Sequence, residues 1–244
     1  MSVHDKYKNY INNQKQFFNE LIVEDWETYN NKFWDFTRTF EINKIIKKTK
    51  PKSILDVGCG CGFHDFIFAK NPLVEKVVGI DYSNKSIKKA NEAYPHPKVK
   101  RACIDFLEDD TEISNDFDLV ASFQVIEHLK EYEKFLERMS SKTQKNGAIV
   151  IATPNYNRFS NRIRKLFSKA PQLSDIMHYK EFNIEDLKEL GEKLGLELYY
   201  FFGYGCSLNI KHNIDKFIPK KFNFYLGRLF PKVADVLVVF FKKI

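Results

Sequence analysis

The chain has 244 residues, 43% of them hydrophobic and 29% charged, with a formal net charge of +7. That length and balance suit one large globular domain over residues 1–244 and exclude a fibrous, low-complexity or disordered chain. Four cysteines in a chain this long exclude a disulfide framework, and no run reaches the roughly 18 apolar residues of a membrane-spanning helix.

The first residues, Met1 to Lys6, are polar and show no secretory leader, so a cytoplasmic location is expected. Residues 1–50 read as a helical cap. Tyr7, Tyr10, Phe17, Phe18, Leu21, Trp26, Tyr29, Phe33, Trp34, Phe36 and Phe40 recur mostly at helical steps. Lys50-Pro51-Lys52 closes that region, because proline cannot continue a helix. Residues 51–153 then alternate. Ser53 to Val57 reads as a buried strand, followed by a glycine-rich turn and a helix from Phe63 to Lys70. Lys76 to Ile80 is a second strand, and Ser83 caps a helix over Asn84 to Tyr94 that stops before Pro95. Val99 to Ile104, Phe117 to Phe123 and Ala148 to Thr153 complete the strands of this core. A helix over Glu131 to Ser141 and an exit turn at Asn146-Gly147 precede the last of them. Residues 154–182 read as a lid-like insertion. Residues 183–244 carry a helix over Ile184 to Leu194, strands over Leu196 to Phe202 and Asp235 to Phe241, and a basic, aromatic connection. Such alternation predicts an α/β, doubly wound, Rossmann-like fold with helices on both faces of the sheet.

The turn Asp56-Val57-Gly58-Cys59-Gly60-Cys61-Gly62 leads from strand to helix, where glycines permit positive φ and close backbone approach to a ligand. A dinucleotide site requires G-x-G-x-x-G, whereas this chain has G-x-G-x-G with Asp56 two residues earlier. A carboxylate there repels a pyrophosphate and accepts hydrogen bonds from an amino-acid ammonium, which points to the methionine end of S-adenosylmethionine. Asp81 ends the second strand, where it can accept both ribose hydroxyls, and Tyr82 follows it. Asp105 and Phe106 end the third strand and suit the adenine amino group and ring. Cys59 and Cys61 read as small loop residues in a reducing compartment.

With these residues placed, the chain resembles the class I S-adenosylmethionine-dependent methyltransferases. ILDVGCGCG, GIDYS, the IDF after strand three, FDLVASFQVIEHL, GAIVIATPN and HYKEFNIEDLKELGEKLGL carry the resemblance. Val125-Ile126-Glu127-His128-Leu129 is similar to the branch that holds ubiquinone-biosynthesis O-methyltransferases and methyltransferases of sugars and small metabolites. The resemblance implies a seven-stranded sheet of order 3-2-1-4-5-7-6 with the last strand antiparallel. It also implies cofactor contacts from Gly58, Gly60, Asp81 and Asp105, with Gln124 nearby; Asp56, Cys59, Gly62, Tyr82 and Phe106 complete the expected cofactor-binding set.

Methyl transfer to oxygen gains from a base near neutrality, for which His128 and His178 are the candidates. Glu127 reads as a capping residue. Some relatives of this branch hold a divalent cation through E-x-x-E-H and a later histidine. Here the first position is Gln124, a poorer ligand for a hard cation, so no metal is assigned and Glu127, His128 and His178 stand as the partial match.

The charge is unevenly placed. Residues 158–169 carry five basic and no acidic side chains, and residues 211–244 carry eight basic against two acidic. Phe159, Ile163, Leu166 and Phe167 share one face of an amphipathic helix beside a stripe of Arg158, Arg162, Lys165 and Lys169, which docks on the domain or meets an anionic partner. Peripheral contact with an anionic membrane at the inner face, through 158–169 and 211–232, is the partner expected besides a small-molecule acceptor. No nucleic acid is expected, since no binding module is present. The function read here is methyl transfer to a small molecule, on oxygen of a metabolite, sugar or quinone precursor. The rivals are RNA 2′-O-methylation and a catalytically inactive cofactor-binding regulator.

Overall fold

A computed structural model describes residue 16 and residues 32–109, 111, 113–207 and 219–244. The aromatic pattern expected to be helical over residues 7–29 and the basic connection over 211–218 lie outside the described residues.

In chain order the elements are α1 (Lys32–Thr49), β1 (Ser53–Val57), α2 (Phe63–Lys70), β2 (Lys76–Asp81), α3 (Asn84–Ala93), β3 (Val99–Cys103), β4 (Phe117–Phe123), α4 (Tyr132–Lys142), β5 (Thr143–Pro154), α5 (Phe159–Leu166), α6 (Ile184–Lys193), β6 (Leu196–Tyr204), α7 (Lys220–Leu229) and β7 (Val236–Lys243). The strands form one seven-stranded sheet in the order β3-β2-β1-β4-β5-β7-β6. β1 runs parallel to β2 and β4, and β2 parallel to β3. β7 is antiparallel to both β5 and β6. This is the doubly wound order that the resemblance implied.

The described residues fall into two compact units, one within Met1–Ser122 and Ser141–Gly147, the other within Phe123–Ser140 and Ala148–Ile244. In the first unit β1 is a nearly continuous apolar run because a parallel strand is covered on both faces. Ile54, Leu55, Phe68 and Val77 are fully buried there. α1 ends at Thr49, Lys50 takes a left-handed φ of 48°, and Pro51 prevents a further turn. Ser83 caps α3 by accepting from the Ser86 amide at 3.2 Å.

In the second unit α6 begins with a reciprocal capping box between Asn183 and Asp186, at 2.9 and 3.0 Å. Gly191 on this helix lets it approach β7 closely, since a Cβ there would lie 2.6 Å from the Phe241 ring. Leu237 to Phe241 are fully buried, each contributing about 2 kcal/mol of apolar burial.

Three local expectations change. β5 starts at Thr143 and runs straight through Asn146-Gly147, so the expected exit turn is absent. Gly147 serves close packing instead, because a Cβ there would lie 2.9 Å from the carbonyl oxygens of Phe117 and Asp118. Part of the basic connection forms α7 after Pro219. On α5 the apolar face is not docked at its end: Leu166 and Phe167 are 81% and 72% exposed. No described helix is long and apolar enough to cross a membrane.

Candidate functional site

The first unit brings the expected cofactor residues other than Gln124 to the carboxyl ends of β1, β2 and β3. Gly58, Gly60 and Gly62 all have positive φ, at 77°, 52° and 81°. The turn is pinned to β2, because the amides of Gly58 and Cys59 both donate to the Ile80 carbonyl at 2.8 and 2.9 Å. Asp81 braces it from the side. One of its carboxylate oxygens accepts from the Gly60 amide at 3.0 Å, and the other accepts from the Ser83 amide at 2.8 Å. The Ile104 amide donates to the Asp81 carbonyl at 3.0 Å, which ties the end of β3 to the same point. Burial raises the Asp81 carboxyl, and these amides partly offset that rise. Tyr82 is half-buried beside it, Asp105 turns the chain by accepting from the Leu107 amide at 3.2 Å, and Phe106 is buried.

The glycines divide by role. A Cβ on Gly60 would meet nothing within 4 Å, so the turn opens onto free space there. A Cβ on Gly62 would lie 2.7 Å from the Ala90 side chain and 2.8 Å from the Arg101 guanidinium, so that glycine is required by packing. Cys59 is buried, and burial followed by the charge of Asp65 pushes its thiol well up. Cys61 is pushed up to about 12 by burial and by Asp81. Both stay protonated and unreactive at neutral pH.

Asp56 is fully buried, and neither carboxylate oxygen has a hydrogen-bond partner among the described residues. Burial, then the neighbouring Asp65 charge, holds its carboxyl well above the usual range. An orphaned buried carboxylate beside an open glycine turn fits a cationic amino-acid group, which would satisfy it. Beneath the turn lies a pair that sequence reading missed. Arg101 on β3 grips Asp65 on α2 bidentately, at 2.8 and 2.7 Å, with both side chains almost fully buried. Arg101 also donates to the Tyr94 carbonyl at 3.0 Å.

The second unit assembles the expected chemistry from two segments about fifty residues apart. Gln124 is exposed with a left-handed φ of 57°, and its amide donates to the Ala152 carbonyl at 2.8 Å. A short 3-10 turn, Ile126–His128, follows. The Glu127 carbonyl accepts from the amides of Tyr179 and Lys180, at 2.7 and 3.1 Å, and so ties this turn to the segment before α6. The Glu127 side chain is fully buried. One oxygen accepts from the Thr153 hydroxyl at 2.9 Å and the other has no partner among the described residues. Burial lifts this carboxyl to about 7.

His128 and His178 stack edge to face with ring centroids 4.8 Å apart. His128 donates from Nδ1 to the Met177 carbonyl at 3.1 Å, and His178 from Nδ1 to the Glu181 carboxylate at 2.9 Å. Burial, then the neighbouring His178, lowers His128 to about 4, so it is neutral at physiological pH. One ligand atom from each of Glu127, His128 and His178 lies within 4.8 Å of the others. Glu127, read from the sequence as a cap and as one member of a partial ligand match, is therefore part of this group.

Two further residues belong here, of which Glu181 was not singled out from sequence and Arg158 was read elsewhere. Glu181 is buried and accepts from His178, the Ser174 amide and hydroxyl, and Arg158. Burial pushes its carboxyl up, but those partners outweigh it and bring it down to about 2. Arg158, expected in the basic stripe beside the apolar face, precedes α5 and is buried and paired with Glu181.

Comparison with known proteins gives this geometry a lineage. A family model described as a methyltransferase domain matches residues 34–200. A ubiquinone biosynthesis O-methyltransferase of Pelagibacter ubique is 30% identical over 152 residues, which are 55% of this chain and 61% of that relative. The matched stretch thus spans less than two thirds of that relative's length. A probable S-adenosylmethionine-dependent methyltransferase of Mycolicibacterium smegmatis is 25% identical, across 74% of this chain and 67% of its own. Among solved structures, magnesium protoporphyrin IX methyltransferase from Synechocystis, with bound SAH, superposes at a TM-score of 0.64. It is 13% identical and covers 94% of this chain and 97% of its own, a likeness of fold. The chain belongs to the methyltransferase domain family, within the class I S-adenosylmethionine-dependent methyltransferases.

Proposed function

We propose that this protein transfers a methyl group from S-adenosylmethionine to an oxygen of a small-molecule acceptor such as a quinone precursor, a sugar or another hydroxylated metabolite. The observation that carries the reading is the convergence of Glu127, His128 and His178, with each imidazole tied at Nδ1 so that Nε2 is left as the proton acceptor. When bound, the cofactor supplies an electrophilic methyl group on a sulfonium. Asp56 takes its ammonium, Asp81 its ribose hydroxyls, and Asp105 with Phe106 its adenine, while Gly60 leaves room for it. His128 or His178 accepts the acceptor's hydroxyl proton at Nε2 as the new bond to oxygen forms, and the Glu127 carboxylate stabilises the imidazolium that results. The relative named for ubiquinone biosynthesis supports an oxygen acceptor. Incubation with labelled S-adenosylmethionine and fractionated extract, followed by identification of the labelled product, tests this. Label confined to protein or RNA would overturn it.

A second reading is favoured by the partnerless Glu127 oxygen. Glu127, His128 and His178 form a donor set that fits a divalent cation, which there would lower the pKa of a bound acceptor hydroxyl. Loss of turnover after chelation, restored by a divalent ion, separates this reading from a metal-free base. Exposure of Leu166 and Phe167 beside Arg162, Lys165 and Lys169 further supports peripheral docking on an anionic lipid surface.

A further inference from the structure

The Nδ1 of His178 faces a carboxylate that other donors also hold in place. Glu181 accepts from the Ser174 amide, from the Ser174 hydroxyl at 2.6 Å, and from the Arg158 guanidinium, as well as from His178 at 2.9 Å. Among the described residues, Nδ1 of His178 meets this carboxylate and, at 3.4 Å, the Ser174 hydroxyl.

The glutamate is in turn held from several directions. Arg158 donates to the Asn155 carbonyl at 3.2 Å and to the Gln172 carbonyl. Asn161 clamps Gln172 from both sides, donating to its carbonyl and accepting from its amide, each at 3.0 Å. Residues 172–181 are thus anchored to the start of α5 by buried polar groups. A carboxylate fixed in this way admits one state of a neutral neighbouring ring, with hydrogen on Nδ1 and a lone pair on Nε2.

We propose that Glu181, clamped by Arg158, is a positioning residue that locks His178 in the Nδ1–H tautomer, so that Nε2 is presented to Glu127 and His128. The arrangement matches the physics by which a buried carboxylate sets the tautomer of a catalytic or metal-bound imidazole. It rests on the reading of Glu127, His128 and His178 as the centre that acts on the acceptor, and its test is separable from that reading.

The test is long-range nitrogen–proton NMR of the full chain, labelled at histidine and held near pH 8, above the ordinary imidazole pKa of about 6.5. Comparison with His178→Ala assigns the ring among the six histidines. In the unmodified protein the proton is expected on Nδ1; finding it on Nε2 overturns the proposal with no variant needed. In Glu181→Leu no carboxyl oxygen is left facing Nδ1, so the Nε2–H form is expected to dominate. Turnover is expected to fall about 10²- to 10⁴-fold, with cofactor affinity unchanged. Glu181→Asp, which keeps the charge, is expected to retain the Nδ1–H form. An unchanged tautomer in folded Glu181→Leu refutes the positioning role whatever the activity does. A switched tautomer with unchanged turnover supports it, and refutes instead the catalytic reading of the histidines.

Discussion

Each unit buries an arginine–carboxylate pair, and these two differ in what else the carboxylate touches. In the first unit Asp65 meets Arg101, whose remaining donors reach backbone and side-chain oxygens. Among the described residues no ionisable ring bonds to Asp65, so the pair is a closed brace beneath the glycine turn. In the second unit Glu181 meets Arg158 with one oxygen and accepts from Ser174 and His178 with the other. The same ion pair is a frame in one place and a frame with an output in the other. A buried salt bridge therefore says little about function until the carboxylate's other partners are counted.

The largest effect that would sharpen this contrast lies in the output. His128→Ala is expected to lower turnover by about 10²- to 10⁴-fold while leaving cofactor affinity within a few-fold, measured by steady-state kinetics and calorimetry. Unchanged turnover on the true acceptor would remove His128 from the chemistry. The brace is tested by stability instead. Arg101→Met leaves Asp65 buried and uncompensated, and a loss of about 3–5 kcal/mol is expected by denaturant titration. Replacing both partners by apolar residues is expected to recover most of it, and failure to do so would show that Arg101 acts through its other contacts.

The next comparison is between two glycines of one turn. Gly60→Ala places a side chain at φ 52° in open space, at a cost of about 1–2 kcal/mol, but is expected to weaken cofactor binding at least ~10-fold. Gly62→Ala meets Ala90 and Arg101 and is expected to lose more stability, by a further 1–3 kcal/mol or so. If Asp81→Ala leaves cofactor affinity unchanged, the proposed ribose contact is wrong.

A smaller effect is expected at Asp118, which accepts from the amides of Lys52 and Ser53 at 2.9 and 2.8 Å. Burial pushes its carboxyl up, but these amides, the Ser53 hydroxyl and Gln144 outweigh it, so the group sits below its ordinary range. A depressed carboxyl stabilises the fold fully above its unfolded pKa near 4 and loses that contribution as pH falls through the lower folded value. Asp118→Asn should cost about 1 kcal/mol at pH 7, given partial exposure, and the gap to the unmodified protein should close in acid. A gap that widened in acid would contradict the assignment. Smallest in stability terms is Leu166→Ser with Phe167→Ser, expected within about 0.5 kcal/mol, yet expected to reduce flotation with anionic vesicles at low salt. Unaltered flotation would dismiss α5 as the docking element.

The glycine turn and its acids were readable because they are local. A strand, a turn and a helix in register place Asp56, Asp81 and Asp105 at successive strand ends, wherever the rest of the chain goes. Asp65 and Arg101 were not readable in that way, since they lie 36 residues apart and each resembles an ordinary charged residue of a helix or an edge strand. Arg158 was misread for a related reason. In a segment with five basic side chains, periodicity groups Arg158 in one stripe with Arg162, Lys165 and Lys169, although Arg158 turns inward. Pro219 is the single cue that could have marked the start of α7, whose exposed aromatics otherwise match a loop as well as a helix.

What the amino-acid order determined alone was the fold class, the strand-turn-helix at Asp56 to Lys70, and the donor chemistry that the turn and its acids imply. Those follow from hydrophobic period and short-range spacing, which chain connectivity imposes before any packing occurs. Tertiary structure alone decided that Gly60 opens onto space while Gly62 fills it, that His128 meets His178, and that Arg158 and Glu181 stand behind them. Each of those depends on residues far apart in the chain approaching within a few ångströms, and a pattern read along one dimension carries no such distance.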